Sequence, residues 1–194
     1  MQQRLSRLRQ LRESADVPAA LAELRKALRE SVNVLVARAA EVAGELEAQP
    51  LADAMESAFD RFARDGVRTD KGCLAKTAIA EALYKIGADS EGVFLRGIRT
   101  VQMEPSFGPP VDTAARLRGL CAMALVRMRH PDAMNALARL LADAEADARI
   151  MAARAIAYSG DPRGEPLLRY KVLRGDDDPQ VQAECMLALL KLAP

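Results

Sequence analysis

The chain has 194 residues and a formal net charge of +1, with 50 % apolar residues, 28 % charged residues, 4 % aromatics and no Trp. That length and balance describe one ordinary domain or one repeat array with a mixed-charge surface, and give no global electrostatic case for nucleic acid or a membrane surface. The core has to be built from Ala, Leu, Val, Ile and Met, a set that favours helices over sheets.

Taken from the start, "MQQRLSRLRQLRESAD" spaces Leu5 and Leu8 as a helix does, among Arg4, Arg7, Arg9 and Arg12. No long apolar stretch follows, and Glu13 and Asp16 do not suit a transit peptide, so a capping helix over about 1–14 is expected. No apolar run approaches the roughly 20 residues that a membrane helix needs. Five segments then share one pattern, starting at Val32, Ala75, Ala115, Ala148 and Val181: "VNVLVARAA", "AKTAIAEAL", "ARLRGLCAM", "ARIMAARAI" and "VQAECMLAL". Apolar or small residues at offsets 0, 4, 7 and 8 lie on one helical stripe, which makes each segment an amphipathic helix. Ala and Gly on that stripe let neighbouring helices approach closely. A further helix precedes each segment, at about 18–29, 50–64, 90–101, 131–143 and 162–174. Pro131, Pro162 and Pro179 mark helix starts, Asp112, Asp161 and Asp178 are N-cap candidates, and Gly87 and Gly160 stand where helices should stop.

A helix pair of this length cannot bury its own apolar stripe, so it has to stack on its neighbours. The segments "DARIMAARAIAYSGDPRGEPLL" and "DPQVQAECMLALLKLA" resemble HEAT repeats, particularly the short bacterial HEAT-like type. The resemblance implies an all-α, right-handed α-solenoid of about five HEAT-like helix pairs. Its repeats would cover about 17–45, 49–87, 90–129, 131–159 and 161–193 of a single domain, 1–194. It also implies that the second helices line a concave face, and that an Arg ladder pairs with acidic residues of adjacent turns. Lys76, Arg116 and Arg149, with Asn33 and Gln182, are assigned to that ladder, and Asp112, Asp143 or Asp147 are its expected partners.

Three stretches depart from the repeat. "VQMEPSFGPPVDTAARLRG" is a loop stiffened by Pro105, Pro109 and Pro110 around Phe107, which either tucks back as a plug or projects as a rigid finger. "RDGVRTDKGC", residues 64–73, lacks both the P-loop order and the spaced ligands of an EF-hand, and is read as a helix-linking loop. The run Asp176, Asp177, Asp178 is assigned to helix capping and not to a metal. Cys73, Cys121 and Cys185 are odd in number and contain no CxxC, and His130 is the only histidine. A disulfide framework or zinc site is therefore not expected, and a reducing, cytoplasmic setting fits.

The expected function is a non-catalytic scaffold binding another protein or peptide on the concave face, with no cofactor and no membrane. The residues assigned to partner contact are Arg38, Glu81, Tyr84, Lys85, Phe107, Arg118, Arg154 and Tyr158, since Arg and Tyr are enriched where proteins meet. Two alternatives come from architectures that this chain resembles only generally: HEAT-like DNA glycosylases and bilin lyases. The absence of Trp and the near-zero net charge speak against nucleic acid, and nothing marks a bilin site. The apolar end "ECMLALLKLAP" offers a surface for self-association.

Overall fold

A computed structural model describes residues 1–14 and 16–193 of the chain. The fold is all-α, built of helix pairs packed on one another as the apolar stripes require. The helices are α1 (Gln2–Gln10), α2 (Val17–Leu28), α3 (Asn33–Glu45), α4 (Ala52–Ala63), a short α5 (Gly66–Thr69), α6 (Leu74–Ile86) and α7 (Glu91–Gly97). After them come a ribbon of β1 (Met103–Glu104) and β2 (Val111–Asp112), then α8 (Ala115–Arg127), α9 (Ala133–Leu140), α10 (Ala146–Ser159), α11 (Gly164–Arg174) and α12 (Pro179–Leu192). The antiparallel ribbon pairs Met103 with Asp112 and Glu104 with Val111, so the loop around Phe107 is a β-hairpin.

Local chemistry sets the helix ends. Asp16 caps α2 by accepting from the Ala19 amide at 3.0 Å, and Asp178 caps α12 by accepting from the amides of Gln180 and Val181. Helices α6 and α10 stop on Gly87 and Gly160 in the left-handed region. The open carboxyl end of α2 is satisfied from α4: Arg61 donates to the carbonyls of Leu28 and Glu30 at 2.8 and 2.9 Å.

By internal packing the chain forms two compact units, Met1–Val93 with Val101–Leu117, and Phe94–Thr100 with Arg118–Pro194. In the first, α2 and α4 are the leading helices of two pairs, and α3 packs along α6. A Cβ on Gly44 would lie 3.1 Å from the Cα of Ala82, a close approach that the small residues of the stripe permit. The core of this unit includes Leu24, Leu28, Val36, Met55, Phe59, Phe62, Ile79 and Leu83. In the second unit α9 packs on α10, α10 on α12, and α11 on α12, burying Leu137, Ala152, Ile156, Leu168 and Cys185.

Candidate functional site

The repeats are keyed by their turns. Asp112, Asp143 and Asp176 each accept the backbone amide two residues on, from Ala114, Glu145 and Asp178, all at 2.9 Å. Such side-chain turns fix the entry to the second helix of a pair. Six positions after Asp70, Asp112, Asp143 and Asp176 stand Lys76, Arg118, Arg149 and Gln182. Within the second unit this position reaches forward to the next turn. Arg118 grips Asp143 through Nε and Nη2 at 2.8 and 2.7 Å and donates to the Thr100 carbonyl at 2.8 Å. Arg149 grips Asp176 at 2.8 Å through the same two nitrogens and donates to the carbonyls of Asp143 and Ala144. These forked pairs are charge-assisted and geometrically specific. Lys171 adds a further ion pair to Asp176 at 2.7 Å. Burial pushes the Asp176 carboxyl up, but the hydrogen bonds from Arg149 and Lys171 outweigh it and hold the group well below the usual carboxylate range. Gln182, at the same position in the last pair, donates back to the Val172 carbonyl.

This corrects the assignment of Arg118 to a partner-binding surface. Its residue is only 3 % exposed, and its guanidinium is committed to Asp143 and Thr100. Arg116, placed in the ladder from the sequence, is exposed and pairs with Glu81 at 3.1 Å. Phasing the third repeat from Ala115 shifts the pattern along α8, whereas Leu117 stands five residues after Asp112 as Ala75 does after Asp70 and Ala148 after Asp143. Asp147 is not the acceptor of Arg149; Asp176 is.

In the first unit the turn chemistry is extended into a buried network. Asp70, in the segment read as a plain linking loop, is fully buried and accepts from the amides of Ala75 and Lys76 at 2.7 and 3.1 Å. Lys76 is also buried, with Nζ 3.1 Å from Asp70 and 2.6 Å from Gln102 Oε1. Gln102 Nε2 donates to the Asp70 carbonyl at 2.8 Å and to Glu104 at 2.6 Å. Glu104 accepts from Thr113 Oγ1 and from the Gly72 amide as well. Residues 102, 104, 112 and 113 form the base of the hairpin, so an internal ion pair and its hydrogen bonds fix that base.

From this base the hairpin projects an apolar surface. Ser106 donates to the Pro109 carbonyl at 2.6 Å, tightening the tip, and Phe107 is 116 % exposed. The plug reading of Phe107 is therefore overturned, and the side chain stands in solvent. Val101, Met103 and Val111 are exposed on the same segment. They escaped the sequence reading because the ribbon's alternation runs for only a few residues. The available signal was Gln102, a polar residue set between Val101 and Met103, which point out while it is buried.

The remaining expected contact residues lie on second helices. In the first unit α3 carries Arg38, paired with Glu41. Next to it α6 carries Glu81 and Lys85, paired at 3.0 Å, and half-buried Tyr84. Burial raises the Glu81 carboxyl, while bonds from Lys85 and Arg116 more than reverse this and leave it lowered. In the second unit α10 exposes Arg154, ion-paired with Glu184 of α12, and Tyr158. Cys73, Cys121 and Cys185 are all buried and in no disulfide, and burial pushes the Cys73 thiol up to about 11, far from a reactive thiolate. Among the described residues no helix is long and apolar enough to cross a membrane.

No curated protein matches the sequence of the chain. The family model for HEAT repeats matches residues 111–190, which contain the forked pairs Arg118–Asp143 and Arg149–Asp176. Stacked helix pairs, Asp turns and that match agree: residues 111–190 of the chain are HEAT repeats.

Proposed function

We propose that the chain is a non-catalytic scaffold that binds a protein or peptide partner, with Phe107 as the anchor of the contact. The observation that carries this reading is a fully exposed phenylalanine at the tip of a hairpin whose base is locked by buried Lys76, Asp70 and Gln102. Exposing such a side chain has no structural benefit, while a rigid aromatic presented without loss of loop entropy is what an interface anchor requires. HEAT repeats commonly serve as interaction scaffolds, which supports the same reading.

In the unit that carries Phe107, Arg38, Glu81, Tyr84 and Lys85 offer polar and aromatic side chains for partner contact, and in the other unit Arg154 and Tyr158 offer side chains of the same kind. Their cations are balanced: Arg38 by Glu41, Lys85 and Arg116 by Glu81, Arg154 by Glu184. A surface that neutralises its own cations suits a mixed-charge protein surface better than a phosphate backbone.

The test is affinity capture from an extract of the source cells, read by mass spectrometry, with wild type beside Phe107→Ser. The expected result is a specific set of proteins held by wild type and lost with Phe107→Ser at unchanged melting temperature. An identical set on both baits removes Phe107 from the contact. Duplex DNA bound at moderate salt by wild type would replace the protein reading with the nucleic-acid one.

A further inference from the structure

A recess of about 280 Å³ lies between the leading helices α9 and α11 of the second unit, with Ala138, Leu141 and Ala142 on one side and Leu167 and Tyr170 on the other. Both walls are helices within the chain, each followed by another. An apolar space of about 150 Å³ accommodates a benzene ring, so this one takes a large aliphatic or aromatic side chain. Repeat packing does not account for the apolar residues of α11 that face solvent here. Setting buried Gly164 and Leu168 of α11 over buried Ala133 and Leu137 of α9 places Tyr170 at the position of Arg139, and Leu173 at that of Ala142. All four of these positions are exposed, Tyr170 by 68 % and Leu173 by 82 %. Three residues apart, Tyr170 and Leu173 are neighbours on the helix surface.

The charge of this surface is one-sided. Among the described residues that line the recess, the only charged side chains are Lys171 and Arg174. Lys171 is committed to Asp176, and Arg169 of α11 to Glu165 at 2.7 Å. Arg174, and Arg139 next to Ala138, are exposed and form no ion pair among the described residues. Arg139 is the only charged residue of α9, and exposed Asp177, in the turn after α11, leaves Arg174 unpaired. On the second helices, by contrast, Lys85 and Arg154 meet carboxylates of the chain itself.

We infer that the recess binds a short acidic peptide segment of another protein, one large apolar side chain filling the space between α9 and α11 and flanking carboxylates pairing with Arg174 and Arg139. The apolar walls supply the anchor site, and the unbalanced guanidinium groups select the sign of what flanks it, their planar fork being matched to a carboxylate. A bilayer is disfavoured, because Ala138, Leu141 and Leu167 lie in a cleft between helices that a lipid surface does not enter. This surface shares no residue with the contact proposed around Phe107.

The experiment is selection of a displayed library of random dodecapeptides on the purified chain, followed by fluorescence anisotropy of the selected peptides with each variant. Peptides that combine acidic residues with one large apolar residue are expected. Arg174→Glu and Tyr170→Ser should each weaken their binding by more than about tenfold at unchanged melting temperature. Added salt should weaken binding to wild type, and Arg174→Glu should gain affinity for the same peptide with its acidic residues changed to Lys. Phe107→Ser should leave binding untouched, which separates this inference from the proposed partner contact. A library that enriches no such peptides, or peptides whose affinity is indifferent to Arg174→Glu and Tyr170→Ser, overturns the inference. Co-sedimentation with vesicles of phosphatidylserine and phosphatidylcholine that is lost with Arg174→Glu, while no acidic peptide is enriched, would overturn it in favour of a lipid surface.

Discussion

Arg116 and Arg118 are two residues apart on one helix and have opposite fates. Arg116 spends its charge in solvent beside Glu81, where an ion pair contributes little. Arg118 is buried, and its loss would strand Asp143, itself largely buried, without a counter-charge. Arg118→Ala is expected to destabilise the protein by about 3–5 kcal/mol, measured by urea denaturation, whereas Arg116→Ala should cost less than about 1 kcal/mol. Equal losses for the two would contradict the burial assigned here. Asp176 makes a related prediction in pH. Its folded-state carboxyl is depressed, so its contribution is present at neutral pH and is lost as pH falls below the ordinary Asp value of about 3.9. The stability gap between wild type and Asp176→Asn should therefore be full at pH 7 and shrink steadily below about pH 4 in denaturant titrations.

At the scale of the element, the hairpin and the turn before α6 act as one piece. A Cβ on Gly66 would fall 2.2 Å from Gln102 Oε1 and 2.5 Å from Lys76 Nζ. Both atoms are buried and bonded to each other, so neither can move aside without breaking that bond. Gly66→Ala should cost about 1–3 kcal/mol in thermal or urea unfolding and raise proteolysis of the hairpin. Phe107→Ser, at the other end of the same element, should leave the melting temperature unchanged, because the side chain buries nothing. The helices were legible in the sequence because apolar spacing at 3.6 residues extends over whole segments. Their phase was less so. In a stripe this rich in Ala, burial and exposure cost nearly the same, and a shift along α8 leaves the pattern plausible while exchanging Arg116 with Arg118. The six-residue spacing of Asp70 to Lys76, Asp112 to Arg118 and Asp143 to Arg149 resolves that phase, because it sets each cation at the same place after its Asp turn. The hairpin was legible as a stiff insertion, but its anchoring was not. Nothing local predicts that Asp70 and Lys76, in a stretch of alternating charge, are taken out of water by Gln102, 26 residues beyond Lys76.

For the molecule as a whole, the repeat pattern is tightest where the family model matches, over residues 111–190, and the turns there are short. Toward the start the repeats widen: α5 and the buried Asp70 network lengthen one connection, and the Phe107 hairpin lengthens the next. The regular repeats supply a frame whose polar side chains hold one turn to the next, and on the proposed function the departures from regularity supply the exposed contact. Hydrogen exchange, measured on the chain alone and with its captured partner, tests that division most directly. Slowed exchange at the amides of residues 103–111 on binding, with the Asp143 and Asp176 turns unchanged, is the predicted result. Binding that leaves the hairpin amides unprotected and protects those turns instead would contradict it.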